Sequence, residues 1–157
     1  MKIRDLTIED YDVLTNFLTE LHLSHHRAIP HIFKETLAVP SMEAYAEELQ
    51  DPNCLFFGVE KDGELTGFCQ LNIKENPDIP EYPIRPARVA HIEHLYTAPA
   101  FRRQGIATAL LEEAKRRAQE HQAAKLTLMV WDFNRDAIAL YQKFGMVDTF
   151  HQMEELL

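Results

Sequence analysis

Residues 89–97 combine strand-like alternation with side chains that can transfer protons. Successive side chains of a strand point to opposite faces, so His91 and Glu93 are predicted to be neighbours on one face, with His94 on the other. A carboxylate that is partly desolvated can have a raised pKa, and a histidine titrates near neutrality without perturbation. The pair could therefore accept a proton from a substrate, although a Glu–His pair in a strand can also be purely structural.

The segment before a predicted helix at 105–122 has the features of an anion-binding site. The first turn of an α-helix leaves four backbone N–H groups without partners, and a Ser, Thr, Asp or Asn usually caps them. Residues 102–105, Arg-Arg-Gln-Gly, provide no such cap, so the macrodipole and the free N–H groups would attract an anion. Because Gly105 allows a close approach, a pyrophosphate fits better than a single carboxylate. The alternative is an ordinary solvated helix start with two surface arginines.

Three histidines near the end of the first predicted helix follow helical spacing. His22, His25 and His26 are three and four residues apart, a pattern that metal sites use. No nearby Asp, Glu or Cys completes an obvious ligand set, and histidines at helix ends are more often surface residues. We therefore expect no metal.

Helices and strands that would position these groups alternate along the chain. Apolar residues at three- and four-residue spacing follow a capping-box sequence at 7–10, and Ser41 can cap a second helix. Asp62-Gly63 is a hairpin signal, and four prolines make 76–86 a loop. Alternating helices and strands predict an α/β sheet with helices on its faces. The predicted strands are 2–6, 55–60, 65–73, 88–97, 125–130 and 146–153; the later helices are 105–122 and 136–144.

Size and composition are those of one globular domain. The chain has 157 residues, of which 46% are hydrophobic and 26% charged, so it can bury a core. No apolar run approaches the roughly 18 residues of a membrane span, and the charged residues 1–10 lack a secretory signal. Cys54 and Cys69 are accordingly expected to be reduced residues in the core of a cytoplasmic protein without a membrane partner.

The formal net charge of −9 lies entirely in the first half of the sequence. Residues 1–80 contain 6 Lys and Arg against 15 Asp and Glu, whereas residues 81–157 contain 10 of each. An acidic field opposes binding to nucleic acid, which needs cations to neutralise phosphates, and favours a cationic partner. Acidic surfaces are also common among soluble proteins with no such partner.

Two sequence blocks together resemble the GNAT superfamily of acetyl-CoA-dependent N-acetyltransferases. Arg102-x-x-Gly105-x-Ala107 is similar to the superfamily's Q/R-x-x-G-x-G/A signature, between a strand and an amphipathic helix. Residues 130–146 resemble its second block, in which an Asn precedes an Ala and a Tyr-x-x-x-Gly-Phe sequence. The order of elements over the whole chain also matches. Three departures are mild: Ala107 where many members have Gly, Met146 for Phe, and Thr97 where Val is frequent.

The resemblance implies a fold and a cofactor. It predicts one N-acetyltransferase domain over 1–157, with a mixed, mostly antiparallel sheet of six to seven strands and helices on both faces. The sheet would splay between the strands 88–97 and 125–130, and pantetheine would lie in the opening and pair with the backbone. The implied co-substrate is acetyl-CoA. The implied cofactor-binding residues are Leu95, Tyr96, Thr97, Arg102, Arg103, Gln104, Gly105, Ile106, Ala107, Thr108, Asn134 and Tyr141.

The resemblance also assigns catalytic roles. Tyr141 occupies the position of the superfamily's general acid, and a phenol with a pKa of about 10 stays protonated at neutral pH. A carboxylate or histidine on the strand before the signature takes the amine's proton, with Glu93 the first candidate and His91 the second. The segment between the first two helices often shapes substrate access, so His26 and Phe33, with Glu93, are expected to bind the acceptor.

The expected reaction is direct attack by a primary amine of a small molecule or peptide, with both substrates bound. The alternative is a non-catalytic acyl-CoA-binding sensor, which would need neither Tyr141 nor Glu93. No nucleic acid partner is expected. A homodimer is the expected assembly, although the residues do not fix the oligomeric state.

Overall fold

A mixed sheet of five strands forms the centre of the molecule, and the computed structural model describes all residues from 1 to 157. The strands are β1 (Lys2–Asp5), β2 (Cys54–Lys61), β3 (Glu64–Asn76), β4 (Ala87–Thr97) and β5 (Lys125–Leu128). They lie in sequence order, with β1 to β4 antiparallel and β5 parallel to β4. The mixed, mostly antiparallel sheet predicted from the sequence is therefore confirmed.

Helices cover both faces of this sheet. The helices are α1 (Tyr11–Ala28), α2 (Met42–Gln50), α3 (Ile106–Glu120) and α4 (Arg135–Phe144). Ser41 caps α2 as predicted, because its hydroxyl accepts from the Ala44 N–H at 3.1 Å. None of the four helices combines the length and apolar content needed to span a membrane.

Two hydrophobic clusters hold the layers together. On one face, Leu14 and Leu18 of α1 and Tyr45 of α2 pack on the sheet. On the other face α3 and α4 pack on a larger cluster that includes the fully buried Cys69. Both cysteines are free thiols, and Cys54 is half-buried. Burial of these apolar side chains fixes the two helix layers relative to the sheet.

The prediction of six to seven strands is wrong, because the sheet has five. The predicted strand at 146–153 does not form: beyond Gly145 the chain joins no strand. Its apolar residues Val147, Phe150 and Met153 stay exposed. Apolar alternation is not sufficient for a strand, since pairing and burial against neighbours provide most of its stability.

Strand β4 carries the irregularity that shapes the site. Ile92 lies opposite Leu71 of β3 and His94 opposite Gln70, so Glu93 is an extra residue, a β-bulge. The pairing of β4 with β5 ends at Ile92 and Leu128, although β4 continues to Thr97. The last five residues of β4 therefore have no partner on the β5 side, and the sheet is open there.

Candidate active site

The bulge changes which side chains share a face of β4. Beyond it, Leu95 packs against the α3 side and Tyr96 is buried on the α1 side, while Glu93 and His94 both line a pocket on the α1 side. The prediction that His94 points away from Glu93 is thus wrong, and Glu93 does not share a face with Leu95. Simple alternation fails because a bulge adds one residue to one strand only.

The pocket beside the bulge has a volume of about 390 Å³ and lies between α1, α2 and the sheet. Apolar side chains form part of its lining, together with two carboxylates from different elements, Glu48 of α2 and Glu93 of β4. The lining residues are Tyr11, Leu14, Thr15, Leu18, Pro40, Tyr45, Glu48, Phe56, Gln70, Asn72, Glu93 and His94. The pocket is therefore acidic and of a size that suits a small molecule or a short side chain.

Glu93 is held by two groups of β3. Its carboxylate accepts from Asn72 Nδ2 at 3.3 Å and lies 3.5 Å from Lys74 Nζ. Two-fifths of the Glu93 side chain remains exposed, so a substrate can reach it. The carboxylate is thus positioned on the pocket wall and is available to a cation or a proton.

Burial keeps the histidines of β4 neutral. His91 does not line the pocket; its Nδ1 lies 2.8 Å from Thr127 Oγ1 of β5. Burial and the charge of Lys74 lower its pKa, whereas Glu93 raises it. Burial also lowers the pKa of His94, against the effect of Glu93. Both imidazoles are therefore predominantly neutral at pH 7 and able to accept a proton.

Glu48 is the second carboxylate of the pocket, and it forms no ion pair. Burial raises its pKa, and repulsion by Glu93 adds to the effect. The two carboxylates are thus close enough to oppose each other's charge.

Tyr141 lies on the opposite face of the sheet from this pocket. It projects from α4 and packs against the cluster under α3, at the end of the sheet that is open. Burial raises its pKa to about 12, with a further contribution from Cys69. The hydroxyls of Tyr11 and Tyr45 donate to backbone carbonyls, whereas the Tyr141 hydroxyl has no such partner in the chain. The phenol therefore stays protonated at neutral pH, and its proton is uncommitted.

Helix α3 begins without a side-chain cap, as its sequence predicts. None of the backbone N–H groups from Arg103 to Thr108 donates to an acceptor in the protein. Arg103 and Gly105 both have positive φ, +63° and +82°, and a Cβ at Gly105 would meet nothing within 4 Å. The result is an open concave run of N–H groups that fits an anion carrying several oxygens.

Some side chains next to this helix start already have hydrogen-bond partners in the protein. Gln104 accepts from Lys61 Nζ at 2.8 Å and donates to the Ala100 carbonyl at 3.1 Å, so its free group is the backbone N–H. Arg102 Nε donates to the Thr97 carbonyl at 3.3 Å, and neither Arg102 nor Arg103 belongs to any ion pair of the chain. The positive field at the helix start therefore comes from two arginines that no carboxylate neutralises.

The open end of the sheet contains an unsatisfied polar atom. Thr97 Oγ1 is buried without a hydrogen-bond partner. Tyr96 points into the core against Phe17, with ring centroids 4.9 Å apart, so only its backbone faces the opening. Asn134 begins α4, and its side-chain amide makes no capping bond. Buried polar atoms normally have partners, so Thr97 is a place where a bound group is expected.

His26 and Phe33 lie outside the pocket. His26 Nδ1 bonds the Phe33 carbonyl at 2.8 Å, and the Phe33 ring packs edge-on against Trp131 at 5.1 Å. His22 and His25 make similar backbone bonds, to the carbonyls of 34 and 21. These residues fasten the segment between α1 and α2 to the loop after β5, and their part in acceptor binding stays a prediction.

Sequence reasoning missed Glu48, Gln70 and Asn72. Glu48 follows the inward-facing Tyr45 by three residues, so helical spacing could have placed it toward the sheet. No comparable signal marks Gln70 and Asn72, because their position depends on the bulge in the neighbouring strand.

Comparison with known proteins identifies the family. The sequence model of the acetyltransferase (GNAT) family matches residues 18–146, and the chain belongs to this family. It is 31% identical over 102 residues to a candidate [ribosomal protein bS18]-alanine N-acetyltransferase of Bacillus subtilis, covering 65% of this chain and 60% of that protein. It is 30% identical over 120 residues to an N-alpha-acetyltransferase of Sulfurisphaera tokodaii, covering 69% of this chain and 68% of that one.

Solved structures share the fold over the whole chain. A mutant of the BH1408 protein of Bacillus halodurans superimposes with a TM-score of 0.92 at 22% identity, covering 100% of this chain and 99% of that one. The sequence matches are shorter, since the first curated relatives are aligned over only 60% and 55% of their length. The comparisons therefore establish an acetyltransferase family and fold, and leave the acceptor to be argued from the site.

Proposed function

We propose that residues 1–157 form an N-acetyltransferase domain that moves an acetyl group from acetyl-CoA to a primary amine of a small molecule or peptide. The observation that carries this proposal is the opening of the sheet beyond Ile92. The uncapped start of α3 lies next to this opening. The Tyr141 phenol lies on one face of the sheet and the pocket with Glu48 and Glu93 on the other. The relatives from B. subtilis and S. tokodaii are both named as N-acetyltransferases, which supports an amine acceptor.

Residues around the opening fit acetyl-CoA. The six free N–H groups from Arg103 to Thr108 would hold the pyrophosphate, with Arg102 and Arg103 providing charge. The backbone of Leu95 to Thr97 pairs with no strand on the β5 side, where only the Thr97 carbonyl has a partner, Arg102 Nε. This backbone would pair with pantetheine, and Asn134 would contact the same arm. When bound, acetyl-CoA would supply an activated acetyl group: the new amide bond replaces the thioester bond, and CoA is released as the thiol. This site needs no metal in the proposed reaction, because the helix start and arginines offset the phosphate charge.

Glu93 is our first choice for the base. An amine acceptor is an ammonium at neutral pH and must lose a proton before it can attack. Glu93 lines the pocket and is partly exposed, whereas His91 lies outside it and bonds Thr127, so His91 would need a bridging water. Lys74 Nζ lies 3.5 Å from the same carboxylate, on the β3 side of the site.

Tyr141 is our choice for the acid. The departing sulfur is better accepted with a proton donor nearby. The Tyr141 hydroxyl keeps its proton at neutral pH, and it lacks the carbonyl partners that the Tyr11 and Tyr45 hydroxyls have. The acid and the base lie on opposite faces of the sheet. Acceptor and acetyl-CoA would thus enter from different sides and be bound together, which supports direct attack rather than an acetylated enzyme.

An acetylation assay tests the proposal. The protein is incubated with acetyl-CoA and a panel of polyamines, aminoglycosides, amino acids and peptides; free CoA and the acetylated product are both measured. We expect product formation that requires Tyr141 and Glu93. Tight CoA binding with no product from any acceptor would instead support the alternative, a non-catalytic acyl-CoA sensor.

A further inference from the structure

We propose that the preferred acceptor is a diamine whose second ammonium is held by Glu48 while its first amine reacts beside Glu93. This rests on the proposed function, and it makes Glu48 a specificity-determining residue of α2. The inference follows from three properties of the pocket: its free hydrogen-bonding groups, its charge balance and its apolar walls.

Most hydrogen-bond donors that line the pocket already have a partner within the protein. The hydroxyls of Tyr11 and Tyr45 already donate to backbone carbonyls, at 2.7 and 3.1 Å. Gln70 Nε2 is directed at Cys54 Sγ at 3.4 Å, and Asn72 Nδ2 donates to Glu93. Asn72 Oδ1, in contrast, is buried without any partner. A buried acceptor without a donor costs free energy, so the pocket is built for a ligand that brings N–H donors. An ammonium has three donors and no acceptor.

The unpaired negative charge of the pocket would be balanced by a ligand cation that keeps its charge during the reaction. Lys74 pairs with Glu93, no Lys or Arg lines the pocket, and Glu48 has no ion-pair partner. Repulsion between the two carboxylates adds to the cost of leaving Glu48 unpaired. The nitrogen that reacts loses its proton and becomes a neutral amide. It cannot remain the partner of Glu48, so a second, retained ammonium is needed to balance that charge.

Part of the pocket lining is apolar. Leu14 and Leu18 of α1 and Phe56 of β2 line it and are buried in the core. A methylene chain between two ammonium groups would lie against these side chains and gain from leaving water. A short alkyl diamine therefore suits a pocket that combines two carboxylates with apolar lining, whereas an acidic or zwitterionic acceptor would add a carboxylate to a pocket that already holds Glu48 and Glu93.

Steady-state kinetics with matched acceptors test the inference. Linear α,ω-diamines and n-alkyl monoamines of equal chain length are compared for the wild type, Glu48→Gln and Glu47→Gln. Glu47 is the matched control, because it is the adjacent residue of α2, exposed and outside the pocket. We expect the wild type to prefer the diamine at least tenfold in kcat/KM. Glu48→Gln should raise KM for the diamine at least tenfold, with kcat within about twofold and the monoamine unaffected. Glu48→Asp should recover part of the loss, and Glu47→Gln should behave as wild type.

Calorimetry of diamine binding in the absence of acetyl-CoA separates this inference from the proposed function. Diamine binding that Glu48→Gln weakens, without acetylation of any amine, would support the pocket assignment and contradict the enzyme assignment. Acetylation of monoamines or peptide N-termini as efficient as that of diamines, and insensitive to Glu48→Gln, would overturn the inference and leave the enzyme assignment standing. Thermal unfolding of each variant verifies that a loss of affinity is not a loss of fold.

Discussion

At the scale of single residues, Tyr141 is proposed to give a proton to the departing sulfur, and Glu93 is proposed to take one from the acceptor amine. Tyr141→Phe keeps the ring packed against the α3 cluster and removes only the hydroxyl. Because general acid catalysis contributes roughly 10²- to 10⁴-fold, kcat should fall by that factor while CoA binding is nearly unchanged. Tyr82→Phe is the matched control, since Tyr82 lies exposed in the loop before β4. Full kcat in Tyr141→Phe, with chemistry rate-limiting, would exclude this residue as the acid.

The loss of kcat/KM in Glu93→Gln should depend on pH. The variant lacks the base but retains the proton donor, so it needs an acceptor that is already neutral. Its deficit in kcat/KM should shrink as pH rises toward the pKa of the amine, because the neutral fraction grows. Lys74, Glu48, His91, His94 and Cys54 are the other charged or titratable groups near Glu93, and none is changed in this variant. pH–rate profiles of wild type and variant with one acceptor provide the measurement.

A deficit in Glu93→Gln that is equal at every pH would mean that Glu93 orients the acceptor rather than taking its proton. His91 would then be the better candidate. Its pKa is lowered, so the imidazole is neutral and can accept a proton over the same pH range. A profile of His91→Asn, which preserves a group able to bond Thr127, would decide between the two residues.

At the scale of elements, the start of α3 should be the main determinant of CoA affinity. Gly105→Glu places a negative charge among the free N–H groups that would hold the pyrophosphate, so CoA affinity should fall more than tenfold, or about 1.4 kcal/mol. Gly105→Gln is the matched control, because it has the same size and the same cost of a positive φ without the charge. Calorimetry of folded variants gives both values. Equal affinities for Glu and Gln at this position would argue against a phosphate site.

Elements with local signals were the predictable part of the fold. The Ser41 cap, the uncapped start of α3, the αL Gly145 after α4 and the proline-rich loop before β4 can all be read from neighbouring residues. The bulge at Glu93 could not, since it exists only in the register between β3 and β4. For the same reason alternation misplaced His94, and the apolar segment after Gly145 was assigned to a strand that has no partner. Glu48 was missed although its helical spacing from Tyr45 was visible.

At the scale of the whole molecule, the two halves of the sequence that differ in charge provide different parts of the site. The first half, with its net charge of −9, provides β1 to β3 and the helices α1 and α2 around the carboxylate pocket. The second half, with no net charge, provides α3 and the arginines near its start. A cationic acceptor and an anionic co-substrate would thus each approach a part of the site whose charge suits it.

This separation predicts that salt will slow the capture of a cationic acceptor. Exposed charges steer an approaching ligand, and at physiological ionic strength their interaction is screened over about 8 Å. Raising the salt concentration should therefore lower kcat/KM for the acceptor while CoA binding changes less, because the CoA contacts are backbone N–H groups as well as charges. The slope of log kcat/KM against ionic strength should be steeper for a diamine than for a monoamine of equal length, since steering scales with ligand charge. Both effects can be checked by measuring kcat/KM for each amine at saturating acetyl-CoA over a series of NaCl concentrations. A kcat/KM that does not change with salt would mean that the acidic half plays no part in capture, and would favour a neutral acceptor.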